Sequence, residues 1–267
     1  MFPTGMVSKL KQIKKMFLRS VVNGNAFWET FRTVLYAMVI AILVRTFAYE
    51  PFNIPSGSMY PTLLVGDYLF VSKFSYGYSR YSFPYGAGLF KGRIWRTSPK
   101  RGDVAVFKLP TDNETDYIKR IVGLPGDKIQ VREGVLYIND KVVERVRTED
   151  YEYWNRYGEL VKYAQYVETL PNGRSYKVLD ATPFRLEPGS LDNTSVYVVP
   201  EGHYFGMGDN RDNSQDSRVL GSVGYIPEEN LVGRAEILFF STNGSARLWE
   251  VWRWPFSIRF YRLGNLL

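Results

Sequence analysis

Two side chains in this sequence could together perform acyl transfer. Ser58 sits in Pro55-Ser56-Gly57-Ser58-Met59-Tyr60-Pro61-Thr62, and Lys119 sits in Tyr117-Ile118-Lys119-Arg120. The chain has one histidine, His203, and no cysteine. Cys-His hydrolases and zinc sites built from several Cys and His are thereby excluded. A Ser-His-Asp triad would have to use His203, whereas a serine paired with a neutral lysine works without imidazole. A serine hydroxyl is a weak nucleophile and needs a base. Lysine is a base only as the free amine, and burial can lower its pKa by roughly 3–5 from about 10.4. Tyr117, Ile118, Ile121 and Val122 give Lys119 an apolar, strand-like setting. Strand alternation puts Lys119 and Tyr117 on one face and Ile118 and Arg120 on the other. Ser56-Gly57-Ser58 reads as a flexible turn that can present a hydroxyl and an amide N–H together. The plainer readings are a solvated strand lysine and an ordinary turn serine.

The other chemical candidates are weaker. His203, in Glu201-Gly202-His203-Tyr204, reads as a hydrogen-bonded structural residue. Asp209-Asn210-Arg211-Asp212-Asn213 invites a calcium reading. An EF-hand loop then needs Gly and Glu where Ser214 and Leu220 stand. Neither a metal nor a cofactor is expected. Asp209, Arg211, Asp212, Asp216 and Arg218 read as a mutually paired brace for this turn.

The elements that must position the pair are mainly β. Asp67–Ser72, Val104–Lys108, Lys128–Arg132, Val135–Ile138, Ser195–Val199 and Glu236–Phe240 are β-branched or aromatic runs, punctuated by Gly, Pro, Asn and Asp. Asn139-Asp140 closes a strand and begins a turn. Residues 74–98 read as an exposed aromatic loop or hairpin. The expected fold class is mainly β: an N-terminal transmembrane helix, then a β-rich globule of sandwich or partial-barrel type with an inserted second β subdomain.

The membrane reading rests on Thr33–Val44, twelve uncharged and mainly apolar residues that Phe27, Trp28, Phe31 and Phe47 can extend. A span wants about 20. A buried core helix is the alternative. A cleavable signal peptide fits less well, because 32 residues precede the apolar core and no small-x-small site follows it directly. Of the formal charge of +7, residues 1–32 carry +5, so the basicity is an N-terminal arm and not a groove for nucleic acid. Met6, Leu10, Ile13, Phe17 and Val21 recur in that arm at helical spacing, as on an amphipathic surface helix or in a disordered basic tail. The C-terminal Trp, Phe and Tyr residues alternate with Arg247, Arg253, Arg259 and Arg262, which suits either a membrane interface or packing on the core.

Three segments resemble the type I signal peptidase (leader peptidase) family, in its bacterial form and in the family's order. They are Asn53–Met59 with Pro61-Thr62-Leu63; Arg101–Val104 with Tyr117–Asp127; and Gly208–Arg218. The resemblance runs from about Phe52 to Ala235. It implies a membrane-anchored serine endopeptidase that cuts signal peptides from exported preproteins after a small-x-small motif, through an acyl-enzyme. Ser58 would be the nucleophile and Lys119 the base. The Ser58 N–H and the Ser56 hydroxyl would hold the oxyanion, and Ser214 would hydrogen-bond and orient the lysine. Phe52, Ile54, Met59, Leu69, Val106 and Ile118 match pocket positions.

By the same resemblance the partners are signal peptides, the lipid bilayer and the neighbouring secretion translocon, with no nucleic acid. The place is the bacterial inner membrane: single-pass, N-terminus cytoplasmic, catalytic part periplasmic. The expected parts are a basic arm (1–26), the anchor (27–48), a catalytic β domain in two pieces (49–140 and 187–246), the inserted non-catalytic β subdomain (141–186) and the aromatic-basic tail (247–267). Two other readings are a self-cleaving repressor-like Ser-Lys peptidase, for which no helix-turn-helix pattern is found, and a membrane-tethered β module that binds peptides without catalysis.

Overall fold

The computed structural model describes residues 24–83, 90–154, 159–181, 191–246 and 249–267. These fall into two compact units, divided after Arg45. The expected amphipathic pattern of Met6 to Val21 lies outside the described residues.

The first unit is helix α1 (Gly24–Phe47), which runs into the first residues of the second. It holds no proline, and its Ala, Leu and Met residues favour helix. Phe27, Trp28 and Phe31 are part of it, so the apolar stretch is continuous over Phe27–Phe47 and long enough to cross a bilayer. Up to Arg45 the described side chains of that stretch are exposed, which sets it apart from a core helix, and Thr46 at its end is buried.

The second unit is built from seventeen short strands among the described residues. In chain order they begin with β1 (Tyr49–Asn53), β2 (Asp67–Ser72), β3 (Tyr78–Ser79), β4 (Arg93–Ile94), β5 (Val104–Lys108) and β6 (Asp116–Gly123). Next come β7 (Lys128–Arg132), β8 (Val135–Ile138), β9 (Lys141–Val142), β10 (Glu144–Arg147), β11 (Tyr151–Trp154), β12 (Leu160–Thr169) and β13 (Ser175–Asp180). The last are β14 (Tyr197–Val198), β15 (His203–Met207), β16 (Ile226–Pro227) and β17 (Leu231–Ser241). The main sheet has the order β1-β2-β17-β5-β6-β15-β16. β17 bends as it pairs with β2 on one side and β5 on the other, with register shifts at three places along it. Gly233 permits that close pairing, because a Cβ there would stand 2.4 Å from the Ser72 carbonyl oxygen.

The inserted residues form their own sheet, β10-β12-β11 with β13 on β12. It begins at Glu144, because Asn139 and Asp140 both adopt positive φ and turn β9 back onto β8. The 74–98 segment is less exposed than its composition suggests. Tyr76, Tyr78 and Tyr81 are buried, and the Tyr76 hydroxyl donates to Asp103. Aromatic rings there are core material with a polar end that finds a partner.

The C-terminal tail packs on the core, one of its two expected readings. Its backbone docks along β17 through Gly264 N–H to Leu238 O and Leu267 N–H to Glu236 O. Trp252, Phe256, Phe260 and Tyr261 nevertheless face outward. Arg262 ties the tail down. Its guanidinium donates to both Asp67 oxygens, at 3.0 Å from Nε and 2.6 Å from Nη2, and to the Thr62 carbonyl. Removing one member of a buried pair strands the other charge. Arg262→Ala should therefore lose about 3–5 kcal/mol in urea unfolding. Arg253→Ala, at an exposed pair with Glu250, should lose about 0.5 kcal/mol or less.

Candidate active site

Ser58 lies in a turn fixed at both ends. Ile54, 3% exposed, donates its N–H to Asp67 O before it, and Met59, fully buried, follows it. The turn is also held from across the molecule. The Asn210 side chain donates to Gly57 O at 3.0 Å, and its backbone N–H donates to Ser58 O at 3.1 Å.

Lys119 comes from β6, where Ala105 of β5 pairs opposite it. β15 joins the other edge of β6 only from Arg120 onward, so residues 116–119 keep one edge of the strand without a β partner. Lys119 Nζ lies 2.7 Å from Ser58 Oγ, and Ser56 Oγ lies 3.3 Å from the same atom. Lys119 is 3% exposed. Burial pushes its pKa down to about 8, with the Arg218 charge adding to the shift and Asp216 and Asp209 opposing it.

The acids near this amine are already engaged. Arg120 donates to Asp209 from Nε at 2.8 Å and from Nη2 at 2.7 Å, and Arg218 donates to Asp216 at 2.9 and 2.8 Å. Arg211 does not pair inside its own turn. It grips Glu168 of β12 with two guanidinium nitrogens, and Tyr176 donates to the same carboxylate. The brace expected within Gly208–Arg218 thus reaches into β6 and the inserted sheet. Asp212 accepts from Ala181 N–H at 2.5 Å.

Two expected placements differ. Ser214 is 3% exposed, but its hydroxyl makes no hydrogen bond, to Lys119 or to any other group. It packs against Gly208 instead: a Cβ at Gly208 would stand 2.2 Å from Ser214 Oγ and 2.6 Å from Ser58 O. Met59 and Leu69 are fully buried in the core behind the cleft. Phe52, Ile54, Val106 and Ile118 do line it. The cleft has a volume of about 760 Å³ and takes in Ser56, Ser58 and Lys119. His203 is elsewhere, opposite Pro227 with its Nδ1 against Glu201 O.

Sequence reasoning missed Arg120, Glu168, Asn210, Tyr60, Tyr153 and Tyr163. Nothing local distinguishes these from surface residues, since each gains its role from a partner far along the chain. Among the described residues one acidic group has cation-like spacing: carboxylate oxygens of Asp180, Asp192 and Asp212 lie within 4.8 Å of one another. Arg145 already supplies positive charge there, at 2.9 Å from Asp180. Burial, and then the Asp212 charge, push the Asp180 carboxyl up to about 6.

A buried lysine with a lowered pKa costs stability while the unfolded chain holds the extra proton. The cost is full below pH 8 and fades as pH rises toward about 10.4. Lys119→Met should therefore unfold at higher urea than the parent at pH 7, by up to roughly 3 kcal/mol. The gain should shrink as pH rises above about 8 and be mostly lost above about 10.4. An equal gain at both pH values would place the cause outside the buried charge.

Residues 27–240 match the family model for signal peptidase, peptidase S26. The chain is 46% identical over 219 residues to signal peptidase I of Rickettsia typhi, covering 80% of this chain and 81% of that one. With the Rickettsia conorii enzyme of the same description it shares 48% over 220 residues, 81% of this chain and 79% of the relative. A crystal structure of a signal peptidase I from Enterococcus faecalis aligns at 26% identity with a TM-score of 0.30, covering 52% of this chain and 97% of that one. With a match that spans most of its length, the chain belongs to the signal peptidase family S26, whose members are serine endopeptidases.

Proposed function

We propose that this chain is a membrane-anchored peptidase that removes signal peptides from exported preproteins, cutting after a small-x-small motif with a Ser58–Lys119 dyad. The observation that carries the reading is the 2.7 Å approach of a buried amine, its pKa lowered to about 8, to a turn serine. The neutral Lys119 amine takes the Ser58 proton as Oγ attacks the carbonyl before the cut. The Ser58 N–H and the Ser56 hydroxyl stabilise the oxyanion. The lysine ammonium then gives its proton to the departing amine, which leaves an ester on Ser58. A water molecule, deprotonated by the same lysine, hydrolyses that ester.

The substrate lies extended between two strand edges. β1 is at the margin of the main sheet, and residues 116–119 of β6 have one edge free of strand pairing. Ile54 and Val106, nearly fully buried, close the wall behind the nucleophile. Small side chains fit before the cut, and larger ones are excluded. Helix α1 supplies the anchor, the lysine-rich arm stays in the cytoplasm, and the globule works on the periplasmic face beside the translocon. The outward Trp and Phe rings of the tail suit the bilayer interface. The chemistry calls for no metal or cofactor.

Reconstituted cleavage of one exported precursor, with sequencing of the new N-terminus, tests this. The cut should follow small-x-small, and Ser58→Ala should abolish it. The kcat/KM should rise with pH through about 8, since only the neutral amine accepts the proton. Lys119→Arg should be inactive, because a guanidinium stays charged, and His203→Ala should keep the profile. An active Lys119→Met would overturn the dyad. Gly208→Ala should lower kcat by about 10² with a smaller change in KM, because the new methyl displaces the Ser58 main chain. Gly221→Ala, where no atom is within 4 Å, should change neither.

A further inference from the structure

Pairing with β1 and β6 accounts for the substrate before the cut and leaves one wall of the cleft unassigned. That wall is formed by Tyr60, two residues beyond the nucleophile, and by Tyr153 and Tyr163 of the inserted sheet. The three rings are continuous. Tyr60 meets Tyr153 edge-on at 5.9 Å between centroids, and Tyr153 lies parallel to Tyr163 at 6.2 Å. The Tyr163 hydroxyl accepts from Asn213 Nδ2 at 2.9 Å, and Asn213 Nδ2 also donates to Asn210 Oδ1 at 3.2 Å. Asn210 in turn holds the Gly57 and Ser58 carbonyls. The wall is therefore fastened to the nucleophile turn itself. Its rings are only partly buried, and Asn213 and Gln215 at its border are exposed amides.

From this we infer that the inserted sheet contributes a subsite for the residues immediately after the scissile bond, built by Tyr60, Tyr153 and Tyr163. The inference rests on the proposed cleavage reaction and names the part of the substrate that reaction leaves unplaced. For an extended chain whose carbonyl sits at Ser58, this wall offers the departing side a lining that the strand edges do not occupy. Ring faces and edges hold aliphatic and aromatic side chains well, and their negative faces disfavour carboxylates. The subsite thus takes an uncharged, apolar residue after the cut and disfavours Asp or Glu. The inserted sheet then selects on the departing side of the bond, while the β1 and β6 edges select on the acyl side.

The test uses the full chain in detergent micelles with precursors identical up to the cut and differing only in the next residues, Leu or Phe against Glu. Wild type should favour the apolar set by about tenfold in kcat/KM. Tyr153→Ala and Tyr163→Ala should reduce that ratio to about twofold or less, while the ratio between precursors differing only before the cut is kept. A merely structural role would move both ratios together, and that result overturns the proposal. So does an unchanged departing-side ratio in the variants, or the lack of one in wild type. A second measurement does not depend on those variants folding. A precursor with a benzophenone side chain just after the cut, bound to the Ser58→Ala chain, should photo-crosslink at or beside Tyr60, Tyr153 or Tyr163. Crosslinks confined to β1 or β6 overturn the assignment. If wild type cuts none of the precursors, the proposed cleavage reaction fails and the crosslink alone decides the subsite.

Discussion

One amine kept out of water governs the architecture around it. The proposed role of Lys119 as a base requires burial to lower its pKa, yet the same surroundings hold Asp209 and Asp216, whose charges raise it. The conflict is resolved by giving each acid its own guanidinium, Arg120 to Asp209 and Arg218 to Asp216. Burial of a charge is tolerable when it is paired and fully hydrogen-bonded. The paired acids therefore act on the lysine as near-neutral dipoles, and desolvation decides the balance.

Strand geometry makes this arrangement possible in a short stretch. Lys119 and Arg120 are neighbours with opposite needs, one requiring neutrality and the other a permanent charge. Alternation sends Lys119 toward Ser58 and Tyr117 and sends Arg120 toward Asp209 and the Tyr176 ring. The inserted sheet is part of the same machinery. Through Tyr176 and Glu168 it packs on Arg120 and grips Arg211, so it sets the environment of β6 as well as one wall of the cleft.

Much of the fold was legible because it rests on local pattern. Asp67–Ser72, Val104–Lys108, Lys128–Arg132 and Val135–Ile138 are strands with the same limits that alternation and turn residues suggest. Ser58 and Lys119, which the structure brings to 2.7 Å, stood out for a chemical reason, the near absence of histidine and cysteine. What stayed hidden depends on pairing across long separations. Glu168 looks like a solvated strand acid until Arg211 arrives from 43 residues away. The Ser195–Val199 run shrinks to Tyr197–Val198 because only those two residues find a partner strand. Ser214 shows the opposite limit: resemblance assigns it a hydrogen bond, but its hydroxyl is packed against Gly208 and unpaired.

The hold of Asn210 on the nucleophile turn has a consequence for how the molecule comes into being. The contact joins residues 153 positions apart, and the Arg262–Asp67 clasp next to it joins residues 195 apart. Contacts this remote form late, because a long loop must close before they contribute. A chain emerging N-terminus first exposes Ser58 and Lys119 long before Asn210, Asp216 or Arg262 has appeared. Until then the lysine has neither its walls nor its neutralised neighbours, and it remains an ordinary ammonium. The lowered pKa of this amine is thus a property of the assembled fold and of no short N-terminal stretch of it.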